Sequence, residues 1–174
     1  KANMAVTEPR SILITGASGF MGFHVARALG EADLPYRALV RPTSEVAALR
    51  ALDAELCTGD VTDRASLVRA LDGCGAVIHL AGAADIADPA INQQVNVDGT
   101  VNVAAACREA GVERVVFYST NCAVRQLRDA YGRTKREAEQ ALEAFQGDLD
   151  IRTFRPAMIY GEGSVEFTTF VNTV

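Results

Sequence analysis

Six short apolar runs recur along the chain, with stretches of helical periodicity between them. The runs are nearly continuous rather than alternating, which is the pattern of strands buried on both faces. They predict strands at residues 11–15, 36–41, 55–57, 76–80, 115–119 and 151–154. Apolar positions repeating every three or four residues predict helices at 20–29, 45–52, 64–71, 91–110 and 130–145. This alternation indicates an α/β fold, a doubly wound parallel sheet with helices on both faces.

The composition narrows the classes of partner. The 174 residues are 49% hydrophobic and 22% charged, as in a globular domain. The formal net charge is −5 and the basic residues are scattered, which disfavours a nucleic-acid surface because such a surface needs a basic stripe. No apolar run approaches the roughly 20 residues that cross a bilayer, and the first ten residues hold no hydrophobic signal core. We therefore expect no membrane segment and a cytoplasmic location.

The cysteines and histidines offer little for metal chemistry. Cys57, Cys74, Cys107 and Cys122 lie far apart, without the close pairs of metal-binding ribbons, and we expect them to be reduced thiols. The histidines are His24 and His79 alone. A zinc site or a histidine-centred triad is therefore not expected.

A glycine-rich segment joins the first predicted strand to the first predicted helix. Glycines at these positions allow a tight turn, close approach of the backbone to a pyrophosphate, and close packing of helix on strand. The helix N-terminus then faces the phosphates. Such a loop alone can also be a helix-capping turn, but its place in a βαβ pattern favours a dinucleotide site. The predicted phosphate-binding residues are Gly16, Ser18, Gly19, Phe20, Met21 and Gly22.

Arg41 stands at the end of the second predicted strand, where an acidic residue would bind the ribose hydroxyls of NAD. A guanidinium there suits the additional phosphate of NADP, and Thr43 and Ser44 could add hydroxyl donors. The alternative is a solvated arginine at a strand end. Asp60 and Val61 follow the third strand, where we expect them to meet the adenine edge. The sequence therefore favours NADP(H) over NAD(H).

Tyr131 and Lys135 lie four residues apart, so a helix carries them on one side, one turn from each other. At about 100° per residue they share the apolar stripe of Ala138, Leu142 and Phe145. An ammonium on that stripe is costly without a partner, which favours a functional lysine. A tyrosine with a pKa of about 10 is a poor base at neutral pH, and positive charge from Lys135 and an oxidised nicotinamide would lower that pKa. Tyr131 is thus a candidate general acid/base.

Three further polar residues are candidates for the same site. Ser119 and Thr120 follow the fifth predicted strand, and either hydroxyl could hold a substrate oxygen or simply cap the strand end. Asn96 lies on the buried side of the 91–110 helix, in line with Thr100 and Val103. Its amide could bind backbone in the central strands and steady the site, and a purely structural hydrogen bond is at least as good an interpretation as a catalytic one.

Together these residues resemble the extended short-chain dehydrogenase/reductase family, the NAD-dependent epimerase/dehydratase group. The resemblance covers about residues 11–161 and depends on six motifs in order. They begin at Gly16, Gly59, His79, Asn96, Tyr131 and Arg155. The resemblance implies a Rossmann-type fold and hydride transfer between NADP(H) and a carbonyl or alcohol.

The resemblance also implies roles for individual residues. Tyr131 is the implied general acid/base, Lys135 lowers its pKa and holds the nicotinamide ribose, and Thr120, with Ser119 as the near alternative, binds the substrate oxygen. Arg41 is similar to the arginine of NADP-using reductases. The remaining residues implied to line the cofactor are Leu80, Ala81 and Gly82, with Pro156, Met158 and Ile159 beside the nicotinamide.

The chain departs from the family in two places. Only ten residues separate Thr120 from Tyr131, where the family has a longer loop, and the C-terminal substrate lobe is largely missing. We expect residues 1–10 to be a tag remnant and lead, 11–160 an NAD(P)-binding Rossmann domain, and 161–174 the start of a truncated substrate-binding region.

The predicted function is that of an NAD(P)-dependent reductase or nucleotide-sugar epimerase/dehydratase, which share their first hydride step. The substrate is a small carbonyl compound or a nucleotide-sugar. The truncated substrate side keeps open a noncatalytic NADP-binding sensor or scaffold, although a sensor has no need of a tuned phenol. A homodimer, formed through the helices that follow the fourth and fifth strands, is implied by the resemblance alone.

Overall fold

One parallel sheet of six strands organises the residues that the computed structural model describes, which are 10–84, 88–124, 130–161 and 163–164. Its strand order is β3-β2-β1-β4-β5-β6. The strands are β1 (Ser11–Thr15), β2 (Tyr36–Val40), β3 (Glu55–Thr58), β4 (Cys74–His79), β5 (Arg114–Tyr118) and β6 (Asp150–Phe154). This order and direction confirm the doubly wound Rossmann-type sheet.

Helices connect the strands on both faces of the sheet. They are α1 (Phe20–Glu31), α2 (Ala47–Arg50), α3 (Arg64–Ala70), α4 (Pro89–Asn92), α5 (Gly99–Ala110) and α6 (Ala130–Glu143). A π-helical segment, Gln93–Asp98, joins α4 to α5, and a 3₁₀ turn, Asn121–Ala123, follows β5. None of the described helices is both long and apolar enough to cross a membrane.

The core lies on both faces because successive strand residues point to opposite sides. Leu13 of β1 packs with Val77 and Val103 in one buried cluster, whereas its neighbour Ile14 packs with Ala26 of α1 in the other. Burying one such aliphatic side chain stabilises the fold by about 1.5–3 kcal/mol. The continuous apolar runs of the sequence are therefore explained by a sheet that is covered on both faces.

Two predicted helices were wrong in detail. The single helix predicted at 91–110 is divided by the π-helical segment, in which Asn96 hydrogen-bonds to the backbone of Ala83. The helix predicted at 45–52 is reduced to α2, since Asp53, in the left-handed region with φ 53°, follows a turn in which Ala54 N donates to Leu49 O at 3.2 Å.

Some predictions lie outside the described residues. The lead at residues 1–9, most of the loop between Thr120 and Tyr131 (125–129) and most of the predicted substrate-binding region (162 and 165–174) belong to this group. The domain boundaries stay predictions.

Candidate active site

The glycine-rich turn after β1 is built so closely that side chains are excluded from it. Gly16 has φ +70°, and a β-carbon there would lie 2.6 Å from Ala81 N. A β-carbon at Gly22 would lie 2.1 Å from Gly16 O. Gly19 N donates to Gly16 O at 3.1 Å and closes the turn. Backbone alone can therefore occupy the space where β1, the turn and the start of α1 meet.

The first turn of α1 leaves its N–H groups available. Gly19 is the N-cap and provides no side-chain cap, and no acidic residue lies in the first turn. Backbone donors and the positive end of the helix dipole thus face the carboxyl edge of the sheet, an arrangement that binds anions.

A cleft of about 550 Å³ opens at this edge. It unites four chain segments that the sequence assigned to cofactor binding: the glycine turn after β1 and the residues after β2, β3 and β4. Its lining residues are Gly16, Ser18, Gly19, Leu39, Arg41, Ser44, Gly59, Asp60, Val61, Thr62, Leu80, Ala81, Gly82, Ala83, Ile91, Gln94 and Val95. The predicted cofactor residues that are not in this lining are Phe20, Met21, Gly22, Tyr131, Lys135, Pro156, Met158 and Ile159, and Met158 is 80% exposed.

Arg41 provides the positive charge of the cleft. Its backbone N–H donates to Ser44 Oγ at 3.0 Å, which closes a turn after β2. Within the described ranges its guanidinium makes no hydrogen bond or ion pair. Thr43 is exposed and does not line the cleft.

Asp60 and Val61 are held by a local network rather than left open. Asp60 Oδ1 accepts from the backbone N and from Oγ1 of Thr62, both at 2.8 Å. Asn102 Nδ2 of α5 donates to Val61 O at 3.0 Å. The carboxylate of Asp60 thus shapes its own loop, and the backbone of that loop forms one wall of the cleft.

Lys135 lies in the interior beside the cleft. It is 2% exposed, and its Nζ sits 4.3 Å from the centroid of the Phe117 ring. A β-carbon at Gly82 would lie 3.9 Å from this Nζ, which places the ammonium at the wall of the cleft. Burial lowers the pKa of Lys135 to about 8, although the negative charge of Glu139 acts to raise it. The expected burial of Lys135 on the apolar stripe of α6 is confirmed.

Tyr131 occupies the first turn of α6, one helical turn before Lys135, and is half-buried. Between them, Thr134 is buried, and its Oγ1 is 2.9 Å from Ala130 O and 3.1 Å from Tyr131 O. The motif therefore places a phenol and an ammonium on one side of α6 and an anchoring hydroxyl on its buried side.

Asn96 fastens α6 to the cleft wall. Its Oδ1 accepts from Ala83 N and its Nδ2 donates to Ala83 O, both at 2.8 Å. The same Nδ2 lies 3.0 Å from Thr134 Oγ1. The side chain is fully buried, and all its contacts are structural. This geometry favours the interpretation of Asn96 as an anchor.

Ser119 and Thr120 differ in how their hydroxyls are used. Thr120 Oγ1 accepts from Cys122 N at 3.2 Å and caps the 3₁₀ turn. Ser119 Oγ is buried without a partner at hydrogen-bond distance among the described residues. It lies near enough to the Glu139 carboxylate to help lower its pKa.

Sequence reasoning missed the pair formed by Glu139 and Arg155. Arg155 Nε and Nη2 each donate to a Glu139 oxygen at 2.9 Å. Burial raises the pKa of Glu139, but Arg155, Ser119 and Lys135 outweigh it, and the net pKa is lowered. The sequence feature that could have indicated Glu139 is its position on the same helix, one turn after Lys135. Gln94 and Val95 were also missed as cleft-lining residues.

The cleft fits a dinucleotide. Its glycine turn has no room for a β-carbon, and the N-terminus of α1 has unoccupied backbone donors. Among the described residues that line the cleft, the one cation is Arg41, which follows β2, whereas Gly82 follows β4. Within the described part of the chain, no three His, Cys, Asp or Glu side chains are grouped to hold a metal ion.

Known proteins resemble this chain over nearly all of its length. The model of the family described as "NAD dependent epimerase/dehydratase family" matches residues 12–174. A ceramide reductase of Caulobacter vibrioides (strain NA1000 / CB15N) is 35% identical over 161 residues, covering 92% of this chain and 50% of the relative. A UDP-glucose 4-epimerase of Vibrio cholerae is 29% identical over 180 residues, covering 89% and 53%.

Solved structures agree with these matches. A double mutant of DesIV, the dTDP-glucose 4,6-dehydratase of Streptomyces venezuelae, was solved with NAD bound and superposes with a TM-score of 0.79 at 26% identity, covering 93% of this chain and 61% of that one. The chain spans about half the length of the curated relatives it matches. The family resemblance of the six motifs is thereby confirmed.

Proposed function

The chain belongs to the NAD-dependent epimerase/dehydratase family, and from that membership we propose that it is the cofactor-binding and catalytic part of an oxidoreductase acting on a carbonyl or alcohol. The observation that carries the proposal is the buried Lys135 ammonium, one turn after Tyr131 and beside Gly82 in the wall of the cleft. An interior cation at this place is explained by the chemistry of a neighbouring phenol.

The residues of the cleft would hold the cofactor by distinct means. The backbone N–H groups in the first turn of α1 would bind the pyrophosphate, and the backbone from Leu80 to Gly82 would lie along the dinucleotide. Lys135 would donate to the nicotinamide ribose. When bound, the nicotinamide supplies hydride transfer.

Tyr131 would move the proton. Its phenol gives a proton to a carbonyl oxygen on reduction and takes one from an alcohol on oxidation. Lys135, charged below its pKa of about 8, favours the phenolate at neutral pH. A hydroxyl from Thr120 or Ser119 would hold the substrate oxygen. Thr120 Oγ1 retains its own proton to donate, because in its contact with Cys122 it only accepts.

NADP(H) is the proposed cofactor in preference to NAD(H). Arg41 brings a guanidinium to the cleft at the end of β2, and Ser44 lies beside it. A fork of N–H donors suits a 2′-phosphate, whereas the 2′-hydroxyl of NAD calls for an acceptor.

The substrate is proposed to be a small carbonyl compound or a nucleotide-sugar. One relative is named a reductase, and others are named an epimerase and a dehydratase. Reduction delivers a hydride and a proton to the substrate, whereas epimerisation and dehydration begin by removing them, so one phenol beside a nicotinamide would serve each reaction in either direction. The cytoplasmic location and the homodimer through α5 and α6 are likewise proposals, and sedimentation of the full-length protein would test the dimer.

The decisive experiment is Tyr131→Phe in the full-length protein. The variant should fold and bind NADPH as before, while turnover falls about 100-fold or more, the usual contribution of a general acid/base. Tyr36→Phe is the matched control, because the hydroxyl of Tyr36 lies outside the cleft and has no hydrogen-bond partner among the described residues. Unchanged turnover in Tyr131→Phe would refute the assignment.

The noncatalytic alternative predicts a different result. A sensor or scaffold would bind NADPH tightly but oxidise it with no compound in a panel of ketones, aldehydes and nucleotide-sugars. Such binding without turnover in the wild-type protein would favour that class.

A further inference from the structure

A buried histidine lies next to the candidate site but does not line the cleft. His79, the last residue of β4, is 0% exposed. Its Nδ1 is 2.6 Å from Thr15 Oγ1 of β1, and its Nε2 is 3.0 Å from Thr100 Oγ1 of α5. Its ring stacks on Phe117, the ring that also faces the Lys135 ammonium. The imidazole thus bridges the sheet and the helix layer.

The surrounding hydrogen bonds fix where the proton of the ring resides. Thr100 Oγ1 lies 2.6 Å from Asn96 O, which can only accept, so the Thr100 hydroxyl donates to that carbonyl. Thr100 must then accept from His79, which requires a proton on Nε2. In the neutral ring Nδ1 is the acceptor, and Thr15 donates to it. Thr15 Oγ1 in turn accepts from Ala81 N at 3.3 Å. Every donor in this series has an acceptor.

The series continues to the helix that carries the phenol and the ammonium. The carbonyl that Thr100 binds belongs to Asn96, whose side chain clamps Ala83 and contacts Thr134 of α6. Hydrogen bonds, joined through the covalent frame of Asn96, therefore link the cleft-lining backbone at Ala81, through His79, to α6.

We propose that His79, as the neutral Nε2–H tautomer, is a positioning residue that sets the distance between the cleft-lining backbone and the Tyr131/Lys135 helix. The catalytic consequence depends on the proposed function, whereas the tautomer and the linkage do not. Burial, with the Lys135 charge as a second cause, lowers the pKa of His79 to about 3, so the ring is neutral at working pH. A second ring proton would leave the Thr15 hydroxyl without its acceptor.

The tautomer is tested directly by nitrogen-15 NMR of histidine-labelled full-length protein. His79, assigned by its loss in His79→Gln, should give the shifts of an Nε2–H neutral ring that do not change between pH 5 and 9. An Nδ1–H ring, or a charged ring at neutral pH, would overturn the proposal. This readout needs neither cofactor nor substrate, so it remains decisive even where the proposed function fails.

The linkage is tested by isosteric loss of each hydroxyl. Thr15→Val should raise the Kd for NADPH about 10-fold, because Ala81 loses its acceptor, while Thr100→Val should lower kcat about 10-fold with Kd changed less than about twofold. Thr15→Ser and Thr100→Ser keep the hydroxyls and should restore both values. Equal effects of both valine variants on Kd and kcat, in proportion to lost thermal stability, would mean a merely structural role and would refute the positioning. Wild-type tautomer, Kd and kcat in both valine variants would refute it as well.

Discussion

Lys135 places a charge in the interior without a carboxylate at ion-pair distance among the described residues. Its pKa is lowered from 10.5 to about 8, chiefly by burial. Below pH 8 the folded protein must charge a group that the unfolded chain charges more readily, so burial reduces the free energy of unfolding there. The reduction disappears as the pH rises toward 10.5, where the unfolded chain also loses the proton.

Lys135→Met should therefore stabilise the protein while it abolishes turnover. We expect the free energy of unfolding in urea to rise by about 1–3 kcal/mol at pH 7, and the gain to shrink toward pH 10. Lys135→Arg keeps the charge and is the matched control, for which no gain is expected. A Lys135→Met protein that is no more stable than wild type at pH 7 would show that the buried charge is compensated.

Arg41 offers a second prediction at the residue scale. Arg41→Ser should raise the Kd for NADPH about 10- to 100-fold, because charge-assisted hydrogen bonds to the 2′-phosphate are lost, and leave the Kd for NADH nearly unchanged. Fluorescence titration measures both. Arg27→Ser, on the exposed side of α1 where it pairs with Glu31, is the control. An equal increase in the Kd values for NADPH and NADH would show that Arg41 does not contact the 2′-phosphate.

At the scale of elements, the glycine turn and α1 form one unit. A β-carbon at Gly22 would meet Gly16 O at 2.1 Å, so either the turn or the helix must move. Gly22→Ala should lower the free energy of unfolding by about 1–3 kcal/mol and weaken NADPH binding about 100-fold or more. Gly147→Ala meets nothing within 4 Å and serves as the control. Calorimetry measures the stability of both variants, and titration measures their Kd for NADPH. Equal values for Gly22→Ala and Gly147→Ala would contradict the close packing at Gly22.

The strands and most helices could be predicted from sequence because their apolar pattern is local. The division of the 91–110 helix could not be predicted, since the π-helical segment accompanies a hydrogen bond between Asn96 and Ala83, which lies 13 residues earlier and outside the helix. The placement of Tyr131 and Lys135 on one side of a helix could also be predicted, because it depends only on their spacing of four residues. The pairing of Glu139 with Arg155 was not, because it joins α6 to the segment after β6.

For the molecule as a whole, the buried histidine makes stability depend on acidity. The pKa of His79 is lowered from 6.5 to about 3 by burial, with Lys135 as a second cause. Between these values the unfolded chain binds a proton that the folded protein does not. The free energy of unfolding therefore decreases as the pH is lowered from 6.5 toward 3. The slope from this group is about 1.4 kcal/mol per pH unit.

Urea unfolding of wild type and His79→Gln between pH 7 and pH 4 checks this dependence. The glutamine amide can still accept from Thr15 and donate to Thr100 but does not titrate. We expect the wild-type protein to lose stability below pH 6.5 more steeply than the variant, with the carboxylates common to both. Parallel curves would mean that His79 has the same pKa in the folded protein as in the unfolded chain.

The strand order has a consequence for biosynthesis. β1 lies between β2 and β4, so its second neighbour begins only at Cys74, long after Thr15 has been translated. At about 5–20 residues per second, a nascent chain leaves one edge of its central strand unpaired for roughly 3 to 12 seconds. Leu13 and Ile14 pair with Val77 and Ile78 of β4, so this edge of β1 can pair with other chains until β4 is synthesised, and we expect a nascent chain stalled before β4 to be prone to aggregation.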